Sequence, residues 1–547
     1  MKRNLLKSIS AILTVILIIF SVPVVSVAAE TVEGTTDDGF SYKITDGEVT
    51  ITAYEGEATE VDIPAVIEGC PVTVIGEDAF NSNFDIESVV IPEGVKVVDG
   101  YAFYGCDKLT DITLPKSVEK VGTYAFAETG YYDDEANWED GLLYLEHFLI
   151  NTDIYISGEC TVKDGITHIG EYVFFYADVE KVNLPEGLLS IDYGAFEKCS
   201  KLVSINLPDS LETIGPRAFW ACTELVEITI PDKVTRIEEE AFWACNKLET
   251  VVFPDNLTYI GDEAFSGCEV LKKADIPSGV TYIGGNAFSR CNALEDVTIP
   301  EKIQTIGDYA FMDCTQITSA VIPEGALEVG EFAFYNCTAL ETFSLPTTLQ
   351  SLGRAAIAFT PFIENEENWT DDNLIVGTVL VNQRKNDAEE YIVPDGITLI
   401  GDAMFWNSKV KRIVVSEDVK YIGALSIYEC RNLTSVVIPQ NVEYISPGNF
   451  NQVPKGVTIY GYEGSRAESF AKEKGINFAL YREEGYSAGD VNMDGDLNVK
   501  DATTIQKQLA SLVNLSIDAQ TLADYNSDGN LNVKDATAIQ KSLAGLI

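Results

Sequence analysis

From Ile191 onward the chain repeats itself every 23 residues. The segments read IDYGAFEKCSKLVSINLPDSLET, IGPRAFWACTELVEITIPDKVTR, IEEEAFWACNKLETVVFPDNLTY, IGDEAFSGCEVLKKADIPSGVTY and IGGNAFSRCNALEDVTIPEKIQT, and the leading isoleucines are Ile191, Ile214, Ile237, Ile260, Ile283 and Ile306. Each unit carries Ile, then Ala-Phe, then Cys, then Leu-x-x-Ile/Val-x-Ile/Leu-Pro. A unit this short cannot bury those apolar groups alone, so neighbours must stack and share one continuous core. Leu202-x-x-Ile205-x-Leu207 alternates like one face of a strand, and Pro208 ends it, having no N–H to give a ladder. The pattern predicts a β-rich solenoid of parallel stacked short strands, with Phe196, Phe219, Phe242, Phe265, Phe288 and Phe311 in file.

The repeat resembles the BspA-like leucine-rich repeats of bacterial surface and secreted proteins over about residues 72–460. That resemblance implies an elongated, curved leucine-rich-repeat solenoid. Two units break the period alike. Val121 to Ile169 and Leu352 to Ile400 each span 48 residues, and each extra stretch holds an Asn-Trp pair, at Trp138 and Trp369. Insertions in solenoids emerge on one face, often a binding face. The simpler expectation is a hairpin extension of the rung with its Trp packed on the side of the solenoid. The expected layout is a signal peptide (1–29), an N-terminal cap (30–71), repeats (72–457) with insertions near 128–168 and 360–398, a C-terminal cap (458–481), a linker (482–489) and a terminal module (490–547).

That terminal module says one acidic sentence twice: DVNMDGDLNVKDATTIQK at 490–507 and DYNSDGNLNVKDATAIQK at 524–541, identical at fourteen of eighteen positions. With Asp490 at position 1, oxygen-bearing side chains recur as Asn492, Asp494, Asp496, Asn498 and Asp501. The second copy gives Asp524, Asn526, Asp528, Asn530, Asn532 and Asp535. This spacing wraps alternate side chains round one hard cation, with Gly495 and Gly529 permitting the sharp turn. Position 7 offers only its backbone carbonyl, which explains why Asp496 can become Asn530. Position 12 is Asp where the usual EF-hand has Glu, and no entering helix precedes Asp490. Loop then helix, twice, resembles a type I dockerin, a small all-α module that binds two Ca²⁺ ions and plugs proteins into the cohesins of a cellulosome-type scaffold. The resemblance implies cohesin-reading residues Val499, Lys500, Gln506 and Lys507, repeated as Val533, Lys534, Gln540 and Lys541. All four pairs are identical, so near-twofold symmetry and docking in either of two orientations are expected. Ile505, Leu509 and Leu512, with Ile539, Leu543 and Leu546, fall on one face of each expected helix.

The chain opens MKRNLLKSISAILTVILIIFSVPVVSVAAE: a basic start, a short apolar run and small residues before a cleavage site, as in a secretory leader. A secreted protein is expected, held at the cell surface through a scaffold and without membrane insertion. The net charge of −49 opposes binding to nucleic acid or anionic membranes, because such a surface collects counterions instead of releasing them. Eleven cysteines in an exported chain would suggest disulfides. However, Cys199, Cys222, Cys245, Cys268, Cys291, Cys314 and Cys337 keep the 23-residue frame, with Cys106 and Cys430 in the same frame elsewhere. They read as small buried hydrophobes, reduced and stacked rung on rung.

No catalytic constellation is evident. The two histidines, His147 and His168, read as surface or turn residues, and no zinc-protease, nucleophile-elbow or phosphate-loop motif occurs. The expected role is non-catalytic binding of a polysaccharide or protein. A glycoside hydrolase using paired carboxylates and a structural spacer are the alternatives. The residue after Ala-Phe is variable and often aromatic, so Tyr104, Trp220, Trp243, Tyr335 and Trp406 form a candidate ligand surface, with Met312 in the same series. Trp220 and Trp243 on adjacent rungs suggest flat rings on which sugars stack.

Overall fold

The computed structural model describes residues 31–384, 387–481, 491, 497–510, 523–526 and 529–544. By contacts the chain divides into two units, Met1–Pro277 and Ser278–Ile547. In both, the repeat folds into a β-solenoid of stacked parallel strands.

In the first unit, Val32–Thr35, Phe40–Thr45 and Glu48–Tyr54 form an antiparallel meander, and the last of these pairs in parallel with Cys70–Ile75. Two ladders follow. Along one, each leading Ile lies in a two-residue strand: Ser190–Ile191 pairs with Thr213–Ile214, and Arg236–Ile237 with Tyr259–Ile260. Along the other, Asp178–Asn183 pairs with Ser204–Asn206, and Glu227–Thr229 with Thr250–Val252. Between them the phenylalanines stand face to face. Phe196, Phe219, Phe242 and Phe265 stack at 5.2 to 5.3 Å within 4° of parallel, and all four are fully buried. In the second unit Phe288, Phe311 and Phe334 continue the arrangement at 5.4 and 5.1 Å.

The Ala-Phe turn is as regular as the strands. Phe219 N donates to Ala241 O and Phe242 N to Ala264 O, each at 2.8 Å. Two residues per turn are left-handed, such as Arg217 (φ 57°) and Ala221 (φ 55°). Their cost to an L-residue is offset by inter-rung bonds, Arg217 N to Glu239 O at 3.0 Å and Ala221 N to Trp243 O at 2.7 Å. After Ile260, Gly261 has no room for a side chain: a Cβ there would lie 2.8 Å from Glu239 N.

The cysteines have a use beyond size. Cys199 Sγ donates to Phe174 O at 3.0 Å and Cys222 Sγ to Phe196 O at 3.1 Å, and Cys245 and Cys268 repeat the bond at 3.3 Å. In the second unit Cys314, Cys337 and Cys430 do the same. All eleven are free thiols. Burial pushes Cys222, Cys245 and Cys268 well above the usual thiol range, so thiolate chemistry is suppressed.

Each insertion is a hairpin excursion. In the first, Thr129 caps a helical turn, Gly130–Asp133, and Trp138–Glu139 pairs antiparallel with Leu142–Leu145. That strand pairs with Phe148–Thr152, which rejoins the ladder beside His168–Ile169. The second copies this with Thr360, Pro361–Glu364, Trp369–Thr370, Asn373–Val376 and Val379–Gln383. Each Trp is pinned to the carbonyl six residues before it, Trp138 Nε1 to Tyr132 O at 2.7 Å and Trp369 Nε1 to Ile363 O at 2.9 Å. His147 lies in the hairpin turn, as expected of a turn residue, whereas His168 departs from that expectation. His168 belongs to a strand, stacks on Phe148 at 4.7 Å and is held by burial at a pKa of about 4, and His147 caps Val118 O at 3.2 Å. Both are half-buried, and the insertion's His147 and Phe148 rings pack on His168.

Thr458–Gly461, the helix Arg466–Lys474 and Asn477–Leu480 follow the last Ile rung. Ser465 caps this helix, and Gly475 ends it at φ 66°. No helix among the described residues is long and apolar enough to cross a membrane.

Candidate functional site

Among the described residues the C-terminal region holds two equal helices, Val499–Leu509 and Val533–Leu543. Each starts on the same capping box. Asn498 Oδ1 accepts from Lys500 N at 2.9 Å, while Asp501 accepts from Asn498 N at 2.8 Å. Asn532 and Asp535 repeat both bonds at 2.9 Å. Residues picked out for oxygen ligation thus also fix the helix start, and sequence spacing alone gives no hint of this second role. Asp501 and Asp535 are fully buried.

In the second loop Asp535 Oδ1 also accepts from Asn526 N at 3.3 Å, and Asp524 Oδ2 accepts from Gly529 N at 2.9 Å. Gly529 has φ 77°, as the sharp turn requires. Carboxylate oxygens of the first and last positions thus each hold a backbone N–H of the same loop. That donor chemistry fits a hard cation. Of the expected ligands, Asn498, Asp501, Asp524, Asn526, Asn530, Asn532 and Asp535 are described. Asp490, Asn492, Asp494, Asp496 and Asp528 lie outside the described residues, as do the stretches expected to be a leader and a linker. Among the described residues no group of three acidic, Cys or His side chains stands ready for a metal.

The helices pack on each other through Ala502, Ile505, Ala536 and Ile539, all fully buried. Leu509 and Leu543 are exposed, contrary to the single apolar face expected. They occupy the last helical turn, beyond the small shared core, and Leu512 and Leu546 lie outside the described residues. Val499, Lys500, Gln506 and Lys507 are all exposed, as are Val533, Lys534, Gln540 and Lys541. Val499 and Val533, 63% and 61% exposed, are apolar groups that the module leaves uncovered.

The aromatic series on the solenoid is not uniform. Tyr104, Trp220, Trp243 and Tyr335 are half-buried, and Trp406 is exposed. Trp220 and Trp243 stack on each other at 4.6 Å, 5° from parallel, and Lys198 and Arg217 lie over Trp220. Each indole therefore spends one face on the other. Tyr104 donates to Glu128 at 2.6 Å, and Tyr335 meets Phe332 and Phe359 edge-on. Trp406 Nε1 donates to Glu429 at 3.3 Å, and this indole lines a cleft of about 560 Å³. Sequence reasoning grouped Trp406 with the others because its frame position is the same. Its surroundings come from the insertion, 48 residues of sequence away from the neighbouring turn.

Comparisons with known proteins give the same two parts. The BspA type leucine rich repeat region matches at residues 72–136, 167–295, 263–367 and 384–461, and the dockerin type I domain at 488–544. Among solved structures, a leucine-rich repeat protein from Bacteroides ovatus is 23% identical, over 78% of this chain and 99% of its own, with a TM-score of 0.38. A leucine rich cell surface protein from Faecalibacterium prausnitzii is 21% identical, over 82% and 99%, with a TM-score of 0.27. No curated protein matches.

Proposed function

This chain belongs to the BspA-type leucine-rich-repeat family and ends in a type I dockerin domain, and from that premise we propose that it is a secreted, non-catalytic component of a cellulosome-type complex. Its dockerin binds a scaffold cohesin, and its solenoid binds a polysaccharide or protein partner. Type I dockerins are generally calcium-binding. Here Asp490, Asn492, Asp494, Asp496, Asn498 and Asp501 would hold one ion, and Asp524, Asn526, Asp528, Asn530, Asn532 and Asp535 the second. The ion would bring the loop carboxylates together ahead of each helix and so add folding free energy to a module with little core of its own.

One observation carries the cohesin reading. The same four side chains stand exposed at the same place on two helices with the same cap, so the module presents one contact face twice. Either face is then able to seat the cohesin. Titration of the full chain with a type I cohesin, in calcium and in EDTA, tests this. Calcium-dependent binding is expected. Lys500→Ala with Gln506→Ala should leave the affinity within about threefold, as should Lys534→Ala with Gln540→Ala, because the intact face compensates. All four changes together should cost at least a hundredfold, roughly 2.7 kcal/mol. Equal, large losses from either half alone would show that docking uses both halves at once.

A further inference from the structure

The two insertions share one backbone plan, yet one site is filled and the other open. In the first, Glu171 reaches across from the rung after the hairpin to the rung before it. Its carboxylate accepts from Thr123 N at 3.1 Å and Thr123 Oγ1 at 2.8 Å, and pairs with Lys120 at 2.8 Å. Tyr124 and Tyr132 close the remaining space, leaving about 10 Å³. In the second copy, 231 positions on, Arg354 replaces Thr123, Ala355 replaces Tyr124, Ile363 replaces Tyr132 and Asp402 replaces Glu171. Asp402, one methylene shorter, turns to Ala424 N, and Arg354 turns away to Glu331 at 3.2 Å. The strut is gone, and a cleft of about 560 Å³ stands in its place, within the roughly 300–1,000 Å³ of small-molecule sites.

From this we infer that the cleft beside the second insertion is a binding site for one neutral sugar ring of a polysaccharide. The inference rests on the reading of the solenoid as a binding part and gives it a place and a ligand class. The lining combines apolar Ile357, Ile363 and Val381 with the amides of Asn382 and Asn407. Amides both donate and accept, which suits hydroxyls that do the same. Trp406, 40% exposed, stands at the same cleft with its orientation fixed by Glu429 and by an edge contact to Tyr428, and the indole face that Arg354 leaves uncovered receives the C–H side of a sugar ring. Arg354 lies between Phe332 and Trp406, 5.0 and 5.2 Å from their rings, and its Nε is buried without a hydrogen-bond partner. Charge disfavours an anionic ligand. Glu429 and Asp402 line the cleft, and Glu331, Asp308 and Glu328 add to the negative field that, after burial, raises Asp402 to about 6. A uronate or phosphate would be repelled, because Arg354 in the lining is already paired with Glu331.

The test is depletion of the full chain from solution by insoluble cellulose, xylan, mannan and polygalacturonate, followed by titration with the hexasaccharide of any that binds. Two variants are compared with the wild type. Ala355→Tyr with Ile363→Tyr refills the cleft with the side chains of the first copy, and Tyr124 (φ 52°) shows that tyrosine fits the left-handed backbone of Ala355 (φ 55°). Trp406→Ala keeps the cleft and removes its platform. Binding to a neutral glycan, weakened at least tenfold by both variants with unchanged thermal unfolding, is expected. Wild-type affinity in both variants would overturn this site while leaving a glycan-binding solenoid standing. Binding of polygalacturonate alone overturns the ligand class. Depletion by none of the four overturns the inference together with the polysaccharide arm of the reading it rests on.

Discussion

Asp192, beside Ile191, stands where many rungs have glycine. Ser190 donates to its carboxylate, yet Oδ2 is buried with no hydrogen-bond partner, and burial raises the group to about 7. A carboxyl raised from its unfolded value near 3.9 binds its proton more tightly in the folded state. The contribution of Asp192 to stability should therefore be greatest below about pH 4, fall as pH rises to about 7, and level off above. Asp192→Asn should raise stability at pH 8 by an amount on the order of 2 kcal/mol and change little at pH 4. Thermal unfolding at both pH values checks this, and an equal gain at each would contradict the assignment. The thiols give a second residue-scale test. Cys70 is half-buried and the other ten are buried. Iodoacetamide should alkylate Cys70 in the native protein and reach the rest only on unfolding, as mass spectrometry of digested peptides would show. The burial of these cysteines was legible from their period. Their bond to the preceding rung's Phe carbonyl was not, because it depends on where a carbonyl 25 or 26 residues earlier points.

At the scale of elements, the short strands and their order followed from the Leu-x-x-Ile-x-Ile/Leu-Pro pattern. The left-handed residues of the turn did not, because Arg217, Ala221, Glu240 and Ala244 carry none of the usual turn chemistry and are held by the neighbouring rung. The insertions announced themselves as two 48-residue intervals, but sequence gave no sign that one fills and the other opens. That depends on a single methylene and a few side chains meeting across two rungs. Their caps make a direct prediction. Thr360 is buried, and its hydroxyl donates to Ile357 O at 2.8 Å while accepting from Ile363 N at 3.4 Å. Thr360→Val keeps the volume and removes both bonds, so it should cost about 1–2 kcal/mol in denaturant unfolding. No change in midpoint would mean that the hydroxyl does not anchor the hairpin.

For the molecule as a whole, two kinds of order depend on different things. The solenoid rests on ladders of Phe, Ile and Cys, and its acidic surface is stitched between rungs by exposed pairs such as Lys247–Glu224 at 2.6 Å and Lys201–Asp178 at 2.7 Å. Each such pair contributes little, roughly 0–1 kcal/mol, but it separates like charges that would otherwise stack at the repeat spacing. Among its described residues the dockerin buries six apolar side chains, a small core beside the solenoid's ladders. EDTA should therefore release amide exchange in Val499–Leu509 and Val533–Leu543 and leave the Phe196–Phe265 turns protected, as hydrogen–deuterium exchange of the full chain would report. Exchange released in both regions would contradict this division. The central claim is that a chain docked on a scaffold binds without cutting. Its most direct test is to incubate the full chain, in calcium and bound to a cohesin, with insoluble plant cell-wall polysaccharides, and to measure protein depletion and released reducing ends together. The account predicts depletion with no sugar released, whereas reducing ends that grow with time and enzyme-like dependence on protein concentration would contradict it.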